Sequence, residues 1–265
     1  MLSLKQNSDS RGVTLLSCDP LVLGRRGTTL ARSRHLCSHS RKLKPFVSVL
    51  RAVASMALAL LLIACSSGES VTYRYRMTVY VDTPTGPRSG SSVIEVETSP
   101  PGVFPGNAFH RAVRGEAVAI DLPGGTIFAL LRSDTNESAA QLYAEHAYAA
   151  ALPRGYDWRT GVETLKRQTE PALLPADQFP RFVRFRDPAD ARTIEVLDPI
   201  DLAASFGSGV RLNRVVIQIT DDPVTSTIER RLPNFGAGSG YDAWSATLRF
   251  DDPRNLSTQD FRIGT

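Results

Sequence analysis

An apolar run from Ala52 to Ala64 is followed, at Val71, by a strict two-residue alternation. Together they divide the chain into a part that is discarded and a part that folds, and they require the folded part to begin as sheet. Val71, Tyr73, Tyr75, Met77, Val79 and Val81 fall on one side, and Thr72, Arg74, Arg76, Thr78 and Tyr80 on the other. Successive strand side chains point to opposite faces, so this pattern predicts a half-buried strand. Arg51 precedes the apolar run, with Arg41, Lys42 and Lys44 further back. A membrane-spanning helix needs about 20 apolar residues to cross about 30 Å, and this run is shorter. A positive flank, a short apolar stretch and a small residue at its end describe an export signal that is cut away.

The run ends in Leu62-Ile63-Ala64-Cys65, which resembles a bacterial lipobox, the tetrapeptide cleaved once its cysteine is lipidated. Ala64 is small enough for a tight protease site, and the Cys65 thiol is the side chain nearby that can form a thioether to a diacylglycerol. A single acyl chain binds a membrane only marginally and stable anchoring takes two signals, so several chains on Cys65 would hold firmly. The expected layout is a leader at 1–45 that is either non-structural or upstream of the true start, with translation beginning between about residues 41 and 56, a signal peptide at 46–64, a lipidated tether at 65–70 and a globular domain at 71–265. The expected location is the bacterial cell envelope, facing the periplasm, with membrane lipid bound through Cys65. Ser66, in place of aspartate, favours the outer membrane over the inner.

Charge agrees with this division. Of 31 Lys and Arg and 27 Asp and Glu, ten bases and two acids lie in residues 1–65, so the remainder is net −4 although the whole chain reads +4. The basic balance belongs to the leader and gives no reason to expect nucleic acid as a partner. Cys18 and Cys37 also fall in the leader, so the mature domain holds no cysteine for a disulfide or a cysteine-based zinc site. About 200 residues suffice for one well-buried core.

Along the mature chain, Pro84-Thr85-Gly86-Pro87 turns the first strand back into a second at Val93–Thr98, placing Glu95 and Glu97 across from Arg74 and Arg76. Arg114–Leu122 reads as a strand, Pro123-Gly124 as a tight turn, and Thr126–Leu131 as a central strand covered on both faces. Asp134 and Glu137 read as a capping box opening a helix to Leu152, with Ala139, Leu142, Tyr143, His146, Ala147 and Ala150 as its apolar stripe. A second helix is predicted from Trp158 to Gln168, with Gly161 counting against it. Pro171, Pro175 and Pro180 mark a possible subdomain boundary. Strands follow at Phe182–Arg186 and Thr193–Leu197. A short helix is capped by Asp198, starts with Pro199 and closes at Gly207. Val210–Thr220 is a long strand, Thr227–Leu232 a helical turn, Gly236–Gly240 a loop, and alternating Trp244, Ala246, Leu248 and Phe250 a last strand. The expected fold class is α+β: a mainly antiparallel sheet with two or three short helices in a single globular domain.

Three segments, VTYRYRMTVYVDTPTGPRSGSSVIEV, VRGEAVAIDLPGGTIFALLRS and FRDPADARTIEVLDPIDLAASFGSGVRLNRVVIQITDDPVTSTIERRLP, resemble as a set an uncharacterised family of alphaproteobacterial membrane lipoproteins and hypothetical proteins. The resemblance spans most of residues 71–232. It implies an anchored envelope protein and brings no activity with it.

No catalytic residue, metal site or cofactor is assigned from the sequence. Asp187-Pro188, Asp198-Pro199, Asp222-Pro223 and Asp252-Pro253, with Asp190, Asp201, Asp221 and Asp251 nearby, suit general acid–base chemistry or calcium on one reading. On the other they are turn and cap residues, which fits the lack of a DxDxDG-like loop. His110 and His146 have no metal-ligand spacing. Arg181, Arg184 and Arg186 suit either anionic lipid and sugar acids or an exposed strand face. Two functions remain: a non-catalytic lipoprotein that binds or assembles an envelope protein, and a periplasmic hydrolase of wall or envelope polymers using Asp carboxylates. Deleting residues 1–40 is expected to change neither processing nor abundance of the mature form on an immunoblot; lost export would show that the leader acts.

Overall fold

The computed structural model describes residues 69–100, 109–232 and 240–264. The leader, the Leu62-to-Cys65 motif and most of the Gly236–Gly240 loop lie outside these residues. The chain from Ile63 to Thr265 forms one compact unit. It is α+β, with two antiparallel sheets and five short helices among the described residues.

The first sheet has the order β10-β3-β2-β1-β9-β6. Its strands are β1 (Val71–Asp82), β2 (Arg88–Ser99), β3 (His110–Glu116), β6 (Ala172–Leu173), β9 (Arg211–Ile219) and β10 (Arg262–Ile263). The second runs β4-β5-β7-β8, from β4 (Val118–Leu122), β5 (Gly125–Ser133), β7 (Pro180–Phe185) and β8 (Ile194–Leu197). The alternation in β1 does what its period requires: Tyr73, Tyr75, Met77, Val79 and Val81 are all buried. They share one core with Val118, Ile120, Ile127, Ala129 and Leu131 of the second sheet.

The unbroken apolar run of β5 supplies two cores. Ile127, Ala129 and Leu131 enter the first; Phe128 and Leu130, on the opposite face, enter a second with Val183, Phe185, Tyr241 and Phe261. Fully burying a side chain of this size contributes roughly 1.5–3 kcal/mol, so covering this outer face accounts for the C-terminal helices α4 (Gly240–Ser245) and α5 (Thr258–Phe261).

Several expectations change in the structure. Residues 114–122 are two strands in different sheets. The helix expected from Asp134 to Leu152 is a 3-10 turn (Ala139–Gln141) followed by α1 (Tyr143–Ala147). Asp134 does not cap it; its carboxylate accepts from Arg181 Nε at 2.5 Å. Ser133 Oγ accepts from Asn136 N, and Asn136 Oδ1 from Ser138 N, local bonds that compete with a helical turn. Helix α2 (Trp158–Lys166) forms as expected, capped by Asp157, and keeps Gly161 because a Cβ there would stand 2.4 Å from the Tyr156 ring.

Helix α3 (Ala203–Phe206) is shorter than expected and is not capped by Asp198, whose carboxylate turns to Ile200 N at 2.8 Å. Leu202 stands at the cap position, Asp201 before it accepts from Ala204 N at 3.2 Å, and Gly207 closes the helix at φ +93°. The expected last strand is α4 and its following turns: Tyr241 and Ser245, four apart, are buried, while Phe250 stands 96 % exposed. Glu95 does face Arg74, but Glu97 faces Thr72, and Arg76 pairs with Asp222.

The sheets approach closely at Gly90 in β2. A Cβ at this position would lie 2.1 Å from the backbone oxygen of Ala119 in β4. Backbone cannot yield as a flexible side chain can. Gly90→Ala is therefore expected to cost about 3 kcal/mol, the upper end for overpacking, in a urea melt.

Candidate binding cleft

Most of the aspartates singled out by the sequence close turns or pair with arginines, and Asp251 and Asp252 lie together on one cleft. Asp187 Oδ1 accepts from Ala189 N at 2.9 Å, and Asp190 Oδ1 from Arg192 N at 3.0 Å. Asp222 is held by Thr220 and Arg76, Asp251 by Arg249, and Asp252 by Arg254. Asp221 lends only its backbone oxygen, to Arg74. The hydrogen bonds from Arg192 hold the Asp190 carboxyl below the usual range. Those from Arg254 bring Asp252 down to about 2. His110 starts β3 and is exposed; His146 is half-buried on α1. Among the described residues, no three His, Cys, Asp or Glu side chains group as metal ligands.

The three arginines of β7 and its end do not form one exposed face. Arg181 and Arg184 keep only 14 % and 17 % of their side-chain surface. Arg184 donates to Glu195 at 2.6 Å and to Ser205 O at 2.6 Å, and lies over the Phe206 ring. Arg186 pairs with the same Glu195. This cluster borders a cavity of about 740 Å³ whose arginines are all occupied by acids.

Arg181 belongs to a larger cleft of about 900 Å³. One side is built from strands: Arg111 to Val113 on β3, Leu131 and Arg132 on β5, and Arg181 on β7. Glu137 to Gln141 and the C-terminal segment between Asp242 and Ile263 complete the lining. Both signs of charge line it. Arg181 is satisfied by Asp134 and by the Pro253 carbonyl at 3.2 Å. Arg132 is held loosely, 3.4 Å from Glu137 and 3.7 Å from Asp260, and its buried Nε has no partner among the described residues. Arg111 pairs with Glu145, and its Nε is likewise buried without a partner among the described residues. A guanidinium carries five N–H donors, more than the two long contacts of Arg132 engage among the described residues.

On the acidic side, Asp260 accepts from Ser257 N at 2.6 Å and from its hydroxyl at 3.2 Å, closing the capping box of α5. Beyond the far end of Arg111, Tyr156 donates to Glu145 at 2.9 Å. Burial first, and then the Glu145 charge, push the Tyr156 hydroxyl up to about 12. Burial also raises Tyr73, whose hydroxyl has no partner among the described residues.

Sequence reasoning missed Arg111, Arg132 and Glu145. They stand on separate elements and share no spacing; the one available hint was an arginine ending the apolar run of β5. Comparison with family models, curated proteins and solved structures found no match. Among the described residues, no helix is long and apolar enough to cross a membrane.

Glu195 gives a pH test of the occupied cavity. Burial alone would raise its carboxyl, but bonds from Arg184 and Arg186 outweigh that and lower it. A lowered folded-state value stabilises above the unfolded value, near 4.3, and the contribution fades as pH falls through the folded one. Wild type is expected to exceed Glu195→Gln in stability at pH 7, with the gap closing below about pH 4 in parallel denaturant melts.

Proposed function

We propose that this protein is a lipid-anchored lipoprotein of the bacterial envelope, facing the periplasm, whose domain binds or helps assemble another envelope protein. The observation that carries the anchor is Leu62-Ile63-Ala64-Cys65 at the end of a short apolar run, six residues before β1 begins. Ser66 supports the outer membrane as its site. The cleft supports binding over catalysis. Its arginines offer donors to a carboxylate or phosphate on a partner, and guanidinium suits both geometries.

One observation favours a periplasmic hydrolase as the second reading: Glu137, Asp242, Asp251, Asp252 and Asp260 line the same cleft. Turnover of purified wall fragments, lost in Asp242→Asn, would replace the binding reading with this one.

Two measurements test the proposal. Radiolabelled palmitate is expected to enter the wild-type protein and not Cys65→Ala; label in the variant would remove the lipobox. A photo-crosslinker at Gln141, on the cleft, is expected to capture an envelope protein in intact cells, whereas one at Ile200, 92 % exposed elsewhere, is not. Arg132→Glu should abolish the Gln141 product at unchanged abundance. Equal capture at both positions would sink the cleft as the binding site.

A further inference from the structure

The end of the domain nearest the tether carries two aromatic rings, each stacked with an arginine. Arg159 Nη2 donates to the backbone oxygen of Glu69 at 3.2 Å, which pins the first turn of α2 to the chain four residues after Cys65. Four steps of at most about 3.6 Å limit the distance from Cys65 to Glu69 to about 14 Å. The Arg159 guanidinium lies over the Trp158 ring, 4.8 Å from its centroid.

The same end of the first sheet holds the second pair. Val71 opens β1 opposite Thr98, and the next residue of β2, Ser99, faces His110 at the start of β3. Phe109 immediately precedes it and is 37 % exposed. The Arg111 guanidinium lies over this ring, again at 4.8 Å. Glu145 connects the two pairs: it takes the Arg111 guanidinium on one oxygen and the Tyr156 hydroxyl on the other, two residues before Trp158. Both rings are therefore mounted on one bonded framework.

We propose that this end lies on the bilayer that holds Cys65, with Trp158 and Phe109 as aromatic anchors and Arg159 contacting lipid phosphate. This rests on the lipid-anchor reading above. Trp suits the membrane–water interface because its apolar body and polar N–H prefer opposite sides of it. Arginine engages phosphate with a planar fork of donors, and Arg159 is exposed. A tether this short keeps the rings within reach of the headgroups. The stacked arginines hold them in place beforehand, so little ordering is left for contact with lipid.

The chain has two tryptophans, so each can report alone. The mature lipidated protein is reconstituted into phosphatidylethanolamine–phosphatidylglycerol vesicles, plain or brominated on the acyl chains near the headgroup, and recovered by flotation. Trp244→Phe leaves Trp158, whose emission is expected to shift blue and to drop in brominated vesicles. Trp158→Phe leaves Trp244, whose emission is expected to stay the same in both. Protein that floats with Trp158 unquenched would overturn the surface and leave the anchor standing. The same holds if Trp158 is unquenched yet shielded from a water-soluble quencher in native membranes, where a protein partner would be covering it. Equal quenching of both tryptophans also overturns the assignment. Protein that fails to float overturns the anchor and the surface together.

Discussion

The carboxylate of Glu116 holds the corner on which both cores depend. It is 2 % exposed and accepts from Thr227 N at 2.6 Å, Ile228 N at 2.9 Å and the Thr227 hydroxyl at 2.9 Å. A buried charge without partners costs several kcal/mol, and these three donors replace the water it gave up. Here β3 ends in one sheet and β4 begins, two residues later, in the other. Gly115 permits the close approach, since a Cβ there would press on Ile94 at 3.0 Å. Ala117 N then donates to the carbonyl of Phe261 at 2.8 Å. Three consecutive residues thus change sheets, fix the 227–228 segment and dock the C-terminal helix. Ile228 and Phe261 are both members of the second core, so that core is tied to the strand that joins the sheets.

What could be read from the sequence was what is decided locally. The β1 alternation, the Pro-Gly turn and the turns at Asp187, Asp190 and Asp252 depend on neighbours a few residues away, and the structure keeps them, whereas Asp198 closes a turn and not the helix expected of it. The Arg74–Glu95 pair was legible for the same reason, because a hairpin sets its own register. Failures occurred where two local signals competed or a distant surface decided. Asp134 and Glu137 have cap spacing, but Ser133 and Asn136 close a turn first, and two arginines claim both acids. Trp244 to Phe250 alternates by chance. Its conformation is set by the outer face of β5 and β7, far away in sequence, which needs Tyr241 and Leu256 against Phe128 and Phe185. The cleft was illegible because Arg111, Arg132 and Arg181 come from three strands and face a fourth segment, a convergence that no spacing rule encodes.

Arg111 has a place in both functional readings. It lines the cleft, and its guanidinium also stacks on Phe109 at the end of the domain near the tether. Its partner Glu145 takes the Tyr156 hydroxyl as well, so one carboxylate sets the position of both aromatic rings and of one side of the cleft. The pair is mostly desolvated, with 11 % and 14 % of the side chains exposed. Losing one partner of such a pair costs about 3–5 kcal/mol, because the charge left behind stays buried and unpaired. Most surface ion pairs on this domain are worth far less and can exchange partners freely. The wall between the cleft and the Val71 end of the first sheet is therefore held by a pair that does not exchange partners cheaply. A bilayer contact at Phe109 and a ligand contact at Arg111 would bear on the same side chain, with no mobile layer between them to absorb a displacement.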